Sequence, residues 1–562
     1  MMKVERDNGW AEMMTRNWMW LIAALAIAAS ISGITNGFAF DDVHLIVEND
    51  RLHSIADAWR LFGQTYWPPV EGASLYRPLT MLAFSAEWFV GSGAPLPFHM
   101  ANIALYVLVC LVLARLLRLF VDAPVAILAA ALFAVHPVHT EAVANIVGQS
   151  ELLVALFLIL AVDRYLRARL DGNLKMSDVV TIGVLYLAAC LSKEHGIILP
   201  GLLLGAEILV PSTGARISRS MKRIAPLFIC LIIIAIAFVV VRTLVTHGFR
   251  AGGRNELFGS EPYSARIFTM LTIVMEWLRL LFWPAQMSAD YSFPRTHVET
   301  EFTLRALPGA VVIAGCAALA WRTRVINPVV TFAILWIAVT LAIPSNLVIM
   351  TGFVLAERTL FLASAAVTLM AGLAIVQVWK LVGEDGGIGR PALIAAFSAL
   401  LVLGVVRSAS RNPVWHDNLR LFAETVENAP SSARAHWMLA EELAGAGQDS
   451  AGADEIELAV ALGRKDDFIL LGFAADQLQA SGMCPRAVPL YGRAVGLSPQ
   501  NEQLRTNASL CLVRVGKVAE ARAVAVAGLA RNHQSVRLKR LVAQVDSLEF
   551  DRAESVEGIA RQ

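Results

Sequence analysis

Two aspartates stand side by side in the stretch Phe40-Asp41-Asp42-Val43-His44. Neighbouring carboxylates repel, which raises the pKa of one and leaves the other ionised, an arrangement suited to general-base work. The pair equally suits a divalent cation or the cap of a following helix. A second cluster, His136-Pro137-Val138-His139-Thr140-Glu141, is followed by Asn145, Gln149 and Glu151. Pro137 should break its helix and leave both histidines and Glu141 near an aqueous loop. His-x-x-His-x-Glu lacks the spacing of a helical zinc protease, so substrate hydrogen bonding is favoured over metal binding. Third, Ser192-Lys193-Glu194-His195 sits in a tight turn between apolar runs. Lys193 can hold a phosphate as a point charge, or simply neutralise Glu194. Fourth, Glu357-Arg358 precedes another apolar run, and arginine grips phosphate through paired hydrogen bonds. Its alternative is an interfacial anchor. Arg242 and Arg250 add positive charge. Carboxylates facing an acceptor, beside cations that grip a phosphate, point to transfer from a lipid phosphate.

The elements that must position these groups are membrane helices. The 562 residues are 57% hydrophobic and only 17% charged, with a mean hydropathy of +0.59. Soluble domains carry roughly a quarter charged residues, so the composition points to a bilayer. A net charge of +1 argues against a nucleic-acid binder. Eleven spans are expected, at 18–38, 98–120, 123–137, 147–165, 178–193, 196–210, 224–246, 305–321, 328–344, 358–380 and 391–409. Lys3, Arg6 and Arg16 precede the first, which reads as a retained span rather than a cleaved signal.

Basic residues choose the orientation. Arg115 and Arg118, then Arg164, Arg167, Arg169 and Lys175, then Arg216, Arg219, Lys222 and Arg223, then Arg322 and Arg324 all fall on one side, read as cytoplasmic. The run 267–284 carries Glu276 and Arg279 and is read as a non-spanning surface helix. The loops 39–97 and 247–304, all four polar clusters and the C-terminal part then lie on the opposite, non-cytoplasmic side.

The chain divides into a membrane domain, 1–411, and a helical tail, 412–562. Gly447, Gly482 and Gly516 recur at intervals of 35 and 34 residues, and Ala487 and Ala521 at 34, the period of tetratricopeptide hairpins. Such stacks form a concave surface for peptides or partners; a merely stabilising helical cap is the alternative. Cys484 and Cys511 pair if the tail faces an oxidising compartment. Cys110, Cys190, Cys230 and Cys316 sit singly in apolar runs and read as packing residues.

The stretch F-A-F-D-D-V-H-L-I-V-E-N-D (38–50) resembles the first outer loop of the transmembrane O-mannosyltransferases that target cadherins. Its Phe-Asp-Asp-Val-His is also similar to the Asp-Glu motif of classical protein O-mannosyltransferases. Tyr76-Arg77-Pro78-Leu79, Phe98 to Asn102, His136 to Glu141 with Gly148 to Leu152, Lys193-Glu194, Asp290-Tyr291-Ser292, Leu355 to Leu362 and Trp415 to Phe422 extend the resemblance in order along most of the chain. It implies an all-α polytopic bundle of the type C glycosyltransferase kind followed by a tetratricopeptide-like solenoid. It also implies a dolichyl- or polyprenyl-phosphate sugar, commonly mannose, as donor, and Ser or Thr of a protein as acceptor, with the repeats as the candidate surface that holds it. By the same resemblance Asp41 is the catalytic base with Asp42 its neighbour, and Lys193, Arg358 and Arg242 hold the donor phosphate. His44, Tyr76, Arg77, His136, His139, Glu141, Glu194 and Glu357 line the site, and no metal or other cofactor is expected. The repeat array is short, about three units, which resembles a bacterial relative. That places the tail in the periplasm; a eukaryotic source would place the protein in the endoplasmic reticulum membrane. A same-fold transferase acting on a lipid-linked glycan or cell-wall polymer, a transporter, and an inactive scaffold are the competing classes. A transporter would place charges at mid-membrane, whereas these gather at one face.

Overall fold

The computed structural model describes residues 8–68, 75–172, 174–210, 217–248, 258, 261–292, 296–382 and 389–547, with side chains from 17 and 223 onward in the first and fourth segments. The side chains of Lys3, Arg6, Arg16, Arg216, Arg219, Lys222 and Arg250 lie outside the described residues. The chain forms two compact units, Met1–Ala289 with His297–Leu421, and Asp290–Thr296 with Phe422–Gln562. Among the described residues every regular element is helical.

Among the described residues of the first unit six helical segments are long and apolar enough to cross a membrane: Leu96–Leu117, Ile146–Leu170, Arg223–Val245, Leu307–Ile326, Glu357–Leu381 and Gly389–His416. This is an integral, multi-pass membrane protein. A seventh crossing is available if α4 (Ala123–Ala134) and the segment Pro137–Ala144 count as one span, bent by 52°. The bend falls at Pro137, which lacks the N–H that a continuing helix needs. Eleven expected spans thus exceed the six or seven that pass. The shortfall lies in short helices. α7 (Met176–Ser192) has 17 residues, α8 (Leu199–Ala206) has 8 and α12 (Pro328–Thr340) has 13, against about 20 for a perpendicular crossing. α1 (Asn8–Ser30) contributes a 17-residue apolar stretch, Asn17–Gly33. α10 (Tyr263–Phe282), the run read as non-spanning, is not among the candidates.

α6 (Gln149–Leu170) is the axis of this unit: 83% of its apolar window is buried, against 6% for α11 (Leu307–Ile326) and α14 (Gly389–Arg411). It packs on α3 (Leu96–Leu117), α7 and α8, while α13 (Phe361–Leu381) packs on α4 and α12. The apolar core runs through Tyr106, Phe133, Tyr165, Tyr186 and Phe361. α2 (Pro78–Gly91), α5 (Thr140–Ala144) and α9 (Ile217–Val245) complete the surroundings of the polar residues.

The second unit stacks helix on helix. α15 (Asn418–Asn428), whose first turn belongs to the first unit, leads to α16 (Ala433–Gly445), α17 (Asp449–Leu462), α18 (Phe468–Ala480), α19 (Cys484–Leu497), α20 (Glu502–Arg514) and α21 (Val518–Leu529), each of α16 to α21 packed on the next. Gly447, Gly482 and Gly516 adopt φ of +75°, +75° and +81°, a left-handed conformation that costs glycine little. After each, the next N–H reaches back five residues: Gln448 to Leu443 O, Met483 to Leu478 O and Lys517 to Leu512 O, at 2.7 to 2.9 Å. The recurring glycines therefore end α16, α18 and α20 with one repeated C-terminal motif. Cys484 and Cys511 are disulfide-bonded, joining α19 to α20 with Cα atoms 5.2 Å apart. Asp290 also belongs to this unit, its Oδ2 accepting from Ser432 Oγ at 2.6 Å.

Candidate active site

The acidic pair is positioned from the far end of the membrane segment. Asn412 Nδ2 donates to Ala29 O at 2.8 Å, and Asn36 Nδ2 donates to Asn412 O at 2.9 Å. Gly37 N–H reaches His416 O at 2.9 Å, and Phe40 N–H reaches Asn418 Oδ1 at 2.5 Å. A Cβ on Gly37 would stand 3.0 Å from His416 O, so the two strands of chain meet closely here. Phe40 is held at φ +58°, unusual for a bulky residue, directly before the aspartates.

The aspartates have different surroundings. Asp42 is buried, with Oδ1 accepting from Val147 N–H at 2.9 Å and Oδ2 from Ile146 and Ala39 N–H, each at 3.3 Å. Burial outweighs those hydrogen bonds and, with the charge of Asp41, pushes its pKa up to about 7. Asp42 is thus an anchor that ties the loop to the turn between α5 and α6. Gly148 in that turn approaches Ala142 O so closely that a Cβ would come within 2.4 Å of it. Asp41 is half-buried, makes no hydrogen bond or ion pair among the described residues, and lies in the field of Arg358. A carboxylate with unoccupied lone pairs can accept a proton. Asp41 has lone pairs open in this way, whereas those of Asp42 are engaged by backbone N–H groups.

Around Asp41 the structure assembles three ion pairs, all between residues distant in sequence. Arg358 donates from its backbone N–H and from Nη1 to the two oxygens of Glu141, at 2.8 and 2.5 Å. Arg77 Nε donates to Glu194 Oε2 at 2.9 Å, while Tyr76 N–H donates to Oε1 at 2.9 Å. Lys193 pairs with Glu151 at the start of α6, with His195 Nε2 3.5 Å from the same carboxylate. The local Lys193–Glu194 pair offered as an alternative is therefore not formed. Burial pulls the Lys193 pKa down to about 8 despite Glu151, and pulls that of His195 down to about 4. Glu194 is pushed up by burial, but Arg77 and the Tyr76 N–H outweigh this and hold it below the usual range. Arg242 is buried and interacts electrostatically with Glu194 and Arg77. Arg358 and Arg77 also act on Lys193. Asp41, Arg77, Glu141, Glu151, Lys193, Glu194, Arg242 and Arg358 are thereby drawn into one polar centre.

Several expected lining residues have side chains engaged by other partners. His139 bridges Tyr106 Oη at 2.9 Å and Ser364 Oγ at 2.8 Å, packed between Phe133 and Phe361. His136 bonds Leu281 O through Nε2 at 2.9 Å, and its Nδ1 accepts from Val138 N–H. Both ring nitrogens of each histidine are thus occupied within the protein, at His139 by two long-range partners and at His136 by one long-range and one local partner. His44 is exposed and pairs with Glu48 at 2.7 Å. Glu357 accepts from Ser288 N–H at 2.6 Å and so tethers the chain after α10. The Tyr76 hydroxyl is spent on Phe62 O at 2.8 Å.

Two groups belong to the centre without having been singled out as site residues. Glu151 was noted only as a follower of the histidine cluster; its signal is a carboxylate in the first turn of a long apolar span. Tyr66 lies in the loop before α2, its ring 4.8 Å from the Arg77 guanidinium, and it feels the charges of Arg77, Asp41, Asp42 and Arg358. A lone loop tyrosine gives no sequence signal. Among the described residues no group of three or more His, Cys, Asp or Glu is arranged to hold a metal ion.

No protein-family profile matches the chain. Its curated relatives are protein O-mannosyl-transferases, the resemblance read from the sequence. The mouse protein O-mannosyl-transferase TMTC3 is 26% identical over 444 residues, 74% of this chain and 48% of that protein. The Caenorhabditis elegans protein O-mannosyl-transferase F38B6.6 is 27% identical, over 76% of this chain and 60% of that one, and human TMTC1 is 28% identical, over 73% and 51%. The chain spans about half the length of the curated relatives it matches. Two solved structures are similar at a TM-score of 0.42 each. ArnT from Cupriavidus metallidurans, bound to undecaprenyl phosphate, is 14% identical over 92% of this chain and 80% of that one. The oligosaccharyltransferase AglB from Archaeoglobus fulgidus, in complex with an inhibitory peptide and a dolichol-phosphate, is 13% identical over 72% and 56%.

Proposed function

We propose that this chain is a membrane glycosyltransferase of the type C kind that moves a sugar, mannose by resemblance to its relatives, from a polyprenyl-phosphate carrier to a Ser or Thr hydroxyl of a protein on the non-cytoplasmic side. The observation that carries the reading is Asp41: a carboxylate without a hydrogen bond, in the field of Arg358, beside a polar centre that also holds Arg77 and Lys193. The names of the curated relatives support the activity. Apolar helices around the centre suit a donor with a lipid tail.

In this mechanism the donor phosphate sits among Arg358, Arg77, Lys193 and Arg242. Arg77 commits only Nε to Glu194, which leaves its Nη groups to donate to phosphate oxygens. The acceptor hydroxyl enters beside Asp41, which takes its proton as the oxygen attacks the anomeric carbon. The bond from that carbon to the phosphate oxygen breaks, polyprenyl phosphate leaves, and Asp41 returns its proton to water. The cations stabilise the charge growing on the leaving oxygen, commonly the largest catalytic contribution. The hairpins closed by Gly447, Gly482 and Gly516 support a tetratricopeptide-like tail that holds the acceptor. The Cys484–Cys511 disulfide supports its placement in an oxidising compartment.

The test is incubation of purified protein with radiolabelled polyprenyl-phosphate sugars, followed by separation of protein, lipid and polymer fractions. Label on Ser or Thr of protein sustains the proposal. Label in a lipid-linked glycan or polymer assigns the acceptor otherwise, and no transfer to any fraction removes the enzymatic reading.

A further inference from the structure

Tyr66 is fixed by its backbone on both sides. Its N–H donates to Leu75 O at 2.8 Å, and the Arg51 guanidinium holds Thr65 O at 3.1 Å. The ring packs with Leu45, Leu61 and Phe84 in a compact apolar cluster and meets Trp67 edge-on. Only 2% of the residue is exposed, yet its hydroxyl has no hydrogen-bond partner among the described residues. A buried hydroxyl without a partner is costly, and a rigid setting gives it no way to escape that cost. The Arg77 guanidinium lies over the ring 4.8 Å from its centre, whereas the hydroxyl lies in the ring plane. The hydroxyl feels the charges of Arg77, Arg358, Asp41 and Asp42.

We infer that the Tyr66 hydroxyl hydrogen-bonds a phosphate oxygen of the lipid-linked donor, an assignment that rests on the sugar-transfer reading above. A buried O–H donor without a partner, beside the Arg77 guanidinium and within the field of Arg358, suits a ligand that brings acceptor oxygens. A phosphodiester supplies them. Burial pushes the phenol pKa up, so at neutral pH the group is always a donor and never competes with Asp41 as a base.

Tyr66→Phe removes the hydroxyl and nothing else, and it separates this role from a structural one. In the purified full-length protein its melting temperature should equal or exceed that of the wild type, because an unpaired buried polar atom is gone. Affinity for sugar-free polyprenyl phosphate should fall about tenfold or more, as expected for loss of a hydrogen bond to a charged group. KM for the sugar-bearing donor should rise by a similar factor, with the pH profile of kcat unmoved. Unchanged binding of polyprenyl phosphate overturns the inference, as does weakening confined to the sugar-bearing donor, which would move the contact onto the sugar. A lowered melting temperature marks a structural bond and also overturns it. If the wild type itself fails to bind polyprenyl phosphate, the sugar-transfer reading falls first and this assignment falls with it.

Discussion

The two ends of α6 are both rich in charge, yet they are built to different ends. At its C-terminal end Asp163 receives Arg115 through Nε and Nη2 at 3.3 and 2.5 Å and Arg167 through Nε and Nη2 at 3.0 and 3.1 Å. Glu207 receives Arg169 through two bonds at 2.7 and 2.9 Å and the Tyr165 hydroxyl at 2.6 Å. Arg164 pairs with Asp178. About 18 Å away along the axis, at 1.5 Å per residue, Glu151 opens the other end, where satisfaction is incomplete. The Tyr66 hydroxyl, both amide atoms of Asn145, Gln149 Oε1 and Thr140 Oγ1 are buried without a partner. Asp41 makes no hydrogen bond. Buried polar groups are normally paired, so the first end is a finished staple and the second is a set of groups waiting for a ligand.

That contrast is broken or sharpened by experiment. The largest effect should come from Asp41→Asn, which keeps the fold but lowers sugar transfer by about 100- to 10,000-fold, the usual worth of a general base. Near-normal transfer by the folded variant would take Asp41 out of the mechanism. Gly148→Ala should come next. The added methyl collides with Ala142 O and shifts the Ile146 and Val147 N–H groups that hold Asp42. A displacement near 1 Å at a reacting group costs about 100-fold, read as lowered kcat in protein that remains soluble and monodisperse. Third, Lys193 carries a pKa near 8. Its ammonium is lost as pH rises through that value, so affinity for polyprenyl phosphate should weaken about tenfold by pH 9, one unit past the pKa. Lys193→Arg should flatten this limb, since guanidinium stays charged; a limb that persists in that variant assigns the titration elsewhere. The smallest effect on chemistry belongs to the opposite end of the helix. Asp163→Asn should cost about 1–2 kcal/mol of stability by thermal or denaturant unfolding, because its arginine partners remain partly solvated. Transfer by the folded fraction should stay within about twofold, since the change is remote from the centre. A large loss of kcat there would erase the distinction between the two ends.

What the sequence made legible follows from how local each signal is. The glycines at 447, 482 and 516 announce their hairpins because a left-handed helix end is decided within six residues. Pro137 announces its bend for the same reason. Asp41, Lys193, Glu194, Arg77 and Arg358 stand out because charge beside an apolar run is expensive wherever it falls, and the structure brings them together. Their partners were not legible. Lys193 passes over its neighbour Glu194 to reach Glu151, and Glu194 takes Arg77 from 117 positions away. His136 and His139 look like site residues in a one-dimensional reading, since the acceptors that occupy them, Leu281 and Ser364, lie more than a hundred positions downstream. The eleven-span expectation differs from the six or seven candidates among the described residues at the short helices, where apolar composition marks burial in protein as readily as passage through lipid.

The fastening of Asn36, Gly37 and Phe40 by residues 412 to 418 bears on biosynthesis. The aspartates leave the ribosome nearly four hundred residues ahead of the segment that sets their geometry. A nascent chain, or one truncated before Asn418, therefore carries every charged residue of the centre without the strap that aims Asp41. On the proposed function, an incomplete chain therefore lacks the arrangement that sugar transfer needs.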